Sequence, residues 1–471
     1  MNQRSALLAA SAVLAALQFG VLAYHLGSTV MFPYDLNYGE GYVLNDAVRL
    51  SRGEPIYVDI QQFPMVRSPY PPLYPLVWSL FLRLSAPSFV VGRALSVAAL
   101  IGLFALLAWN GRRIRRGPWP VIIAPALLAA SPFVYQWAGY ARVDLLALLL
   151  AAGGVCAAQW LPGWRGVLAA GVLCTLALWT KQTTLTAALA VGIALLLRSR
   201  LHGLGFAGLV ALPCLAAVVA LDALTGGQFT RHILEGNAAN PIYPLRAAYY
   251  LFGFAALHLP AFAAGLWWAS KALRGVPSPI ALYVPIALLG ALSAGNAGSS
   301  VNYLIEPAIA LGLAAPFAWR AAHGAPAIGP LMATVQLLLV VHWPNGFGTT
   351  YLAESALGRT PTTADASVGA QVDAVVRATP GELIAEPAGF AVRNGRSVYV
   401  QPIDLRAEEL RGRWRDEPLV QALRDGRFEL AITAFEFLPM GAERALRDSF
   451  TLESVVPSPD GLTFHVYRYA R

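Results

Sequence analysis

The stretch FPYDLNYGEGYVLNDAVRLSRGEPIYVD, residues 32–59, decides how the rest of the chain is read. It follows one membrane-length apolar run and precedes a long series of others. Seven charged side chains, Asp35, Glu40, Asp46, Arg49, Arg52, Glu54 and Asp59, fall within 25 positions of a chain in which only 13% of residues are charged. Acidic groups at the mouth of a membrane bundle are costly unless they are solvated, paired or used. The pattern points to a polar site at a bilayer surface.

Composition supports that setting. The chain has 471 residues, of which 57% are hydrophobic, and a mean hydropathy of +0.54. A soluble globular chain carries roughly 25% charged residues. The deficit reads as a polytopic α-helical membrane protein. The formal net charge of +8 does not imply nucleic acid, because many of the arginines before residue 343 sit in short loops between apolar runs. Cys156, Cys174 and Cys214 all lie inside apolar runs without metal-ligand spacing, and read as small core residues. The N-terminal apolar run is about 22 residues long, beyond the roughly 7–15 of a signal-peptide core, so it is expected to be a retained first helix.

Spanning helices need roughly 20 apolar residues. About eleven are expected, over 5–27, 89–110, 118–135, 145–160, 166–180, 183–198, 204–224, 248–270, 278–294, 303–320 and 326–342. With this count Arg4, RRIRR (112–116), Arg165, Arg198, Arg200, Lys271, Arg274 and Arg320 all fall on one side, as the positive-inside rule requires of a cytoplasmic face. Segment 72–86 opens with prolines and contains Arg83. It is expected to lie in the outer interface rather than to cross. The chain then divides into a transmembrane catalytic domain, 1–342, and a small external α/β domain, 343–471. In the latter, EPLVQALRDGRF reads as a helix, ELAITAF and LTFHVYRYA read as strands, and PSPDG (457–461) has hairpin-turn chemistry. The expected location is the cell membrane, with this domain and the polar loops outside.

Candidate site residues gather on that outer face. Asp35 and Glu40 flank Tyr38 in YDLNYGEG, and either acid could act as general base on a hydroxyl or as a metal ligand. Asp144 opens a membrane helix two residues after Arg142; an acid there also meets the helix dipole. Lys181, with Gln182 beside it, is a cation on the outer side of an otherwise inside-positive chain, and a lipid phosphate is its natural partner. A snorkelling interfacial lysine is the plainer account. Glu306 lies about one turn into a membrane helix, after Asn302 and Tyr303, and suits either pairing with a cation or substrate contact. Arg231, His232 and Arg246 flank the loop 225–247 and could hold an anionic lipid head. SPYPPLYP (68–75), which contains Tyr70 and follows Arg67, places tyrosines at headgroup level. There is no Walker A loop, dinucleotide fingerprint or HExxH motif.

An acidic first external loop, a PPLYP helix start, an Arg-x-Asp at the second loop, many helices and a C-terminal external domain together resemble the GT-C superfamily of polyprenyl-phosphate-dependent glycosyltransferases. The likeness is to its protein O-mannosyltransferase and aminoarabinose transferase group. The family's Asp-Glu-x-Tyr matches Asp35-Leu36-Asn37-Tyr38, with Leu36 in place of Glu, so Asp35 or Glu40 supplies the base. Its second-loop Asp maps to Asp144, and its Pro-Pro-Leu to Pro71, Pro72 and Leu73. Where the aminoarabinose enzymes carry Lys, this chain has Tyr70, which leaves Arg67 as the replacement. The resemblance implies an inverting transfer of a sugar from a polyprenyl monophosphate to a hydroxyl on a lipid, glycan or protein. It implies no cofactor; paired acids could hold a divalent cation, but none is expected. A transporter or lipid flippase is the alternative, which would place functional charges near the bilayer midplane and show related halves. A non-catalytic assembly protein, whose external domain binds a partner, is a third.

Overall fold

The structure is a computed structural model describing residues 3–114, 119–236, 241–321, 328–339, 358–435 and 437–470. A long first helix, α1 (Gln3–Met31), delivers the chain to the acidic loop. The loop turns at Asn37, whose Oδ1 accepts from the Gly39 amide at 3.1 Å, and α2 (Glu40–Ser51) begins there with an acid in its first turn and Arg49 in its last. α3 (Leu73–Leu82) follows. At ten residues it is too short to cross. It buries Tyr74 and Trp78 and exposes Leu76, Leu80 and Phe81, the two-sided character expected of an interfacial helix.

Among the described residues, five helices are long and apolar enough to cross a membrane, Ser5–Met31, Phe89–Arg113, Gly163–Thr180, Arg200–Thr225 and Val301–Ala321, or six if one bent pair counts as a span. The chain is thus a polytopic helical membrane protein, and the expected eleven crossings are not reached by length. Two expected spans are broken. The run 118–135 divides into Trp119–Ala129 and Pro132–Trp137. Pro132 has no amide hydrogen and forces Ser131 out of the helical region, to ψ 124°. The run 248–270 divides at His258 into Pro244–Leu257 and Leu259–Ala272, bent by 95°, with Pro260 starting the second piece. Other expected crossings are shorter apolar helices, such as Asp144–Trp160 and Gln182–Arg198.

The arginine-bearing helix ends share one end of the bundle. Arg113 lies over the rings of Trp109 and Trp160 at 4.9 and 6.0 Å. Trp160 and Trp268 both stack on Phe317. Asp144, Lys181, Tyr303 and the acidic loop lie at the opposite helix ends. The cysteines are free, and Cys156 and Cys174 are buried in the core.

The expected boundary at 342/343 and part of RRIRR lie outside the described residues. The C-terminal region carries the helix Thr363–Ala378 and a four-stranded sheet of order β1-β2-β4-β3. β1 (Glu382–Ala385) is parallel to β2 (Phe428–Thr433), and β4 (Thr463–Tyr469) pairs antiparallel with both β2 and β3 (Phe450–Pro457). The hairpin turns through Gly461 at φ 91°, a left-handed position that suits glycine. This sheet does not stand apart. Met65 of the first loop forms an isolated parallel bridge to Val400 of the same domain, through Met65 N to Tyr399 O (2.7 Å) and Gln401 N to Met65 O (3.1 Å). One hydrophobic core joins Tyr42, Leu44 and Trp78 to Val372, Phe390 and Val466.

Candidate active site

A cavity of about 820 Å³ opens between the first loop, the helix ends at Arg142 and Lys181, and the C-terminal domain. Its lining includes Asp35, Tyr38, Arg67, Tyr70, Arg142, Lys181, Gln182 and Tyr303. With Arg246, nine candidates singled out from sequence therefore meet in one place. Glu40, Asp144, Asn302 and Glu306 are not on its wall.

Glu40 differs most from expectation. It is completely buried, and so is Arg93 of the helix Phe89–Arg113. Arg93 Nε and Nη2 grip the two carboxylate oxygens of Glu40 at 2.8 Å each. The amides of Leu36 (2.8 Å) and Ala141 (2.7 Å) donate to the same carboxylate. Arg93 also donates to the carbonyls of Thr29, Phe32 and Tyr34. Glu40 thus knits the first loop to the second, with no oxygen facing the cavity.

Asp35 is the opposite case. Neither of its carboxyl oxygens has a hydrogen-bond partner, although both are shielded from solvent. They sit against the backbones of Gly41 and Gly389, where a Cβ on either glycine would collide with them. Burial pushes the Asp35 carboxyl up to about 7; the neighbouring Glu40 adds to this, while Arg93 and Arg393 oppose it. An unpartnered acid near neutrality on a cavity wall suits proton transfer.

The cations separate into paired and unpaired. Lys181 ends the helix Gly163–Thr180, and its ammonium donates to Asp144 Oδ1 at 2.6 Å while lying 4.3 Å from the Tyr303 ring centre. Asp144 also accepts from Asn302 Nδ2 (2.7 Å) and Trp137 Nε1 (2.8 Å). It is therefore satisfied and buried behind Lys181. Arg67 gives two bonds to the His232 carbonyl and one to Asp404 Oδ1 at 3.2 Å. That ties the loop to the C-terminal domain rather than leaving a free phosphate ligand. Glu306 accepts from Thr186 and Tyr283 hydroxyls, not from a cation.

Two cavity-lining arginines form no ion pair among the described residues, Arg142 and Arg246. Arg142 donates to the Tyr70 hydroxyl at 2.6 Å and lies over the rings of Tyr70 and Trp137. Its guanidinium crosses Gly39, occupying the place a Cβ would take. Arg246 donates to the Ser299 carbonyl and lies over Tyr250. Gln182 donates to the Pro69 carbonyl at 3.2 Å, and its Oε1 has no partner. Among the described residues no three His, Cys, Asp or Glu are grouped to hold a metal.

Sequence reading missed Arg93, although a lone arginine within an apolar helix is a signal in itself. It also missed the cavity wall from the C-terminal domain, including Pro387, Phe390, Phe435 and Phe437. No local pattern marks these residues, because the tertiary fold alone brings them to the first loop.

No protein-family model matches the sequence, and no curated protein does either. Solved structures do. ArnT from Cupriavidus metallidurans bound to undecaprenyl phosphate superposes with a TM-score of 0.60 at 13% identity, covering 96% of this chain and 97% of that one. The apo state of ArnT gives 0.59 at 12% identity with the same coverage. Over nearly its whole length, the chain has the fold of ArnT, in keeping with the GT-C resemblance in its sequence.

Proposed function

We propose that the protein is an integral-membrane glycosyltransferase that moves a sugar from a polyprenyl monophosphate to an acceptor hydroxyl. One observation carries the reading: a single cavity sets an unpartnered carboxyl, Asp35, together with two arginines, Arg142 and Arg246, that form no ion pair among the described residues. The fold adds support, since ArnT of the same fold binds undecaprenyl phosphate.

In this reading Arg142, Arg246 and Lys181 receive the phosphate. Asp144 and Asn302 keep Lys181 in place, and Tyr70 orients Arg142. Asp35 takes the proton of the acceptor hydroxyl as its oxygen bonds to the anomeric carbon. The bond from that carbon to the phosphate oxygen breaks in line, and its electron pair leaves with the phosphate, where the cations stabilise the growing charge. A single displacement inverts the anomeric centre. Phosphate is already a good leaving group, so positioning and electrostatics supply most of the rate. Because Gly389 and Gly41 cover the Asp35 carboxyl, the turn 387–390 moves aside when acceptor binds. Glu40 and Arg93 are the frame that holds the loop. The arginine-rich end faces the cytoplasm by the positive-inside rule, which puts cavity and C-terminal domain outside the cell membrane. A lipid, glycan or protein could carry the hydroxyl, and no cofactor is needed.

The test is purified protein in lipid vesicles with a panel of radiolabelled polyprenyl-phosphate sugars and candidate acceptors. Release of polyprenyl phosphate from at least one donor is expected. No release from any of them would overturn the reading.

A further inference from the structure

The cavity continues into a second hollow of about 540 Å³, and Ile403, Ala407, Phe435 and Phe437 belong to both. The shared stretch has an uncommon surface. The rings of Phe435 and Phe437 lie parallel, 6° apart, with centres 5.7 Å apart. Tyr38 of the acidic loop meets both edge-on, at 5.2 and 5.5 Å. All three rings are half-buried, so each keeps part of its surface toward the groove. The arrangement is held from both sides. Tyr38 Oη accepts from the Ile403 amide at 3.1 Å, and the buried Glu386 carboxylate accepts from the Phe435 amide at 3.5 Å.

We propose that this groove is the acceptor subsite, and that the acceptor is a carbohydrate whose ring packs on the Tyr38–Phe435–Phe437 surface. The inference rests on the transferase reading and names its second substrate. A pyranose offers an apolar face of C–H groups that suits a flat aromatic surface, with hydroxyls around its edge that need polar partners. Those partners are present: Asp404 lines the main cavity beside Ile403, and Glu443 and Arg406 line the outer hollow. An acyl chain laid here would strip water from these charges without replacing its hydrogen bonds. A peptide adding to a sheet needs an unpaired strand edge. This groove is walled instead by the helix Pro402–Leu410 and the loop after β2. Tyr38 lies three residues from Asp35 in the same cavity wall, so a sugar on this surface can present a hydroxyl to the proposed base. Because the rings are already fixed, binding orders few side chains.

The experiment uses the full chain in lipid nanodiscs, probed with a microarray of lipid-free oligosaccharides and, separately, with undecaprenyl phosphate. At least one oligosaccharide is expected to bind. Phe435→Leu with Phe437→Leu, which keeps bulk but removes the flat faces, is expected to weaken that binding about tenfold. Phe437→Trp is expected to retain it. Undecaprenyl-phosphate binding reports that each variant is folded; if the double variant loses it, Phe437→Leu alone carries the comparison. A wild-type protein that binds undecaprenyl phosphate but no oligosaccharide overturns the acceptor subsite, as do leucine variants that bind oligosaccharides like wild type. A wild-type protein that fails to bind undecaprenyl phosphate instead overturns the transferase reading.

Discussion

Two carboxylates five positions apart in one loop have opposite surroundings. Glu40 receives a bidentate arginine and two amides; Asp35 receives nothing. Removing the charge of Glu40 leaves Arg93 buried without its counter-charge, which costs about 3–5 kcal/mol. Glu40→Gln is therefore expected to lower the thermal unfolding midpoint in detergent sharply. Asp35→Asn is expected to keep the fold and lower the transfer rate by about 10²–10⁴. The pH dependence follows from the Asp35 carboxyl being raised from 3.8 to about 7. Only the ionised form accepts a proton, so kcat/KM rises with pH and levels off above about 7. Stability runs the other way. A raised group favours the fold while it is protonated, so its contribution is complete below pH 3.8 and is lost as pH rises through about 7. Asp35→Asn should flatten both dependences, which paired rate and unfolding measurements across pH would check. The sequence marked both acids, in a charge-rich loop of an apolar chain, without choosing between them. The role of Glu40 was not, because its partner lies 53 residues away in another helix.

At the level of elements, turn chemistry was read well, and breaks inside apolar runs were not. The hairpin at 457–461 and the short helix within 72–86 follow from proline, glycine and short apolar length. Ser131 and His258 sit within long apolar stretches where hydropathy signals continuity, yet a following proline interrupts the helix at each. The start of α2 has a consequence for binding. Gly39 has φ −81° and ψ −11°, values any residue adopts, so Gly39→Ala does not strain the backbone. The added methyl does displace the Arg142 guanidinium. Losing one charge-assisted contact to phosphate is worth about 1.5–3 kcal/mol. Gly39→Ala is therefore expected to weaken undecaprenyl-phosphate binding by roughly ten- to a hundredfold, with little change in unfolding temperature. Isothermal titration of the two proteins would check this.

As a whole, the molecule joins a helical bundle to a sheet domain through the acidic loop. Met65 bridges to Val400 of the domain, Arg67 reaches Asp404, and the loop and domain share a core. Sequence composition separated the two parts but could not show that they close one cavity, since its walls come from segments hundreds of positions apart. The cations at the helix ends, Asp35 in the loop and the aromatic wall of the domain line one cavity only in this assembly. The central claim is that the carrier phosphate and Asp35 share that space. The most direct measurement is an experimental density map of the full chain with undecaprenyl phosphate bound. The account expects the phosphate within hydrogen-bond distance, about 3 Å, of Arg142 and Arg246 and on the same cavity as Asp35. Phosphate bound at the arginine-rich end of the bundle, or outside this cavity, would contradict it.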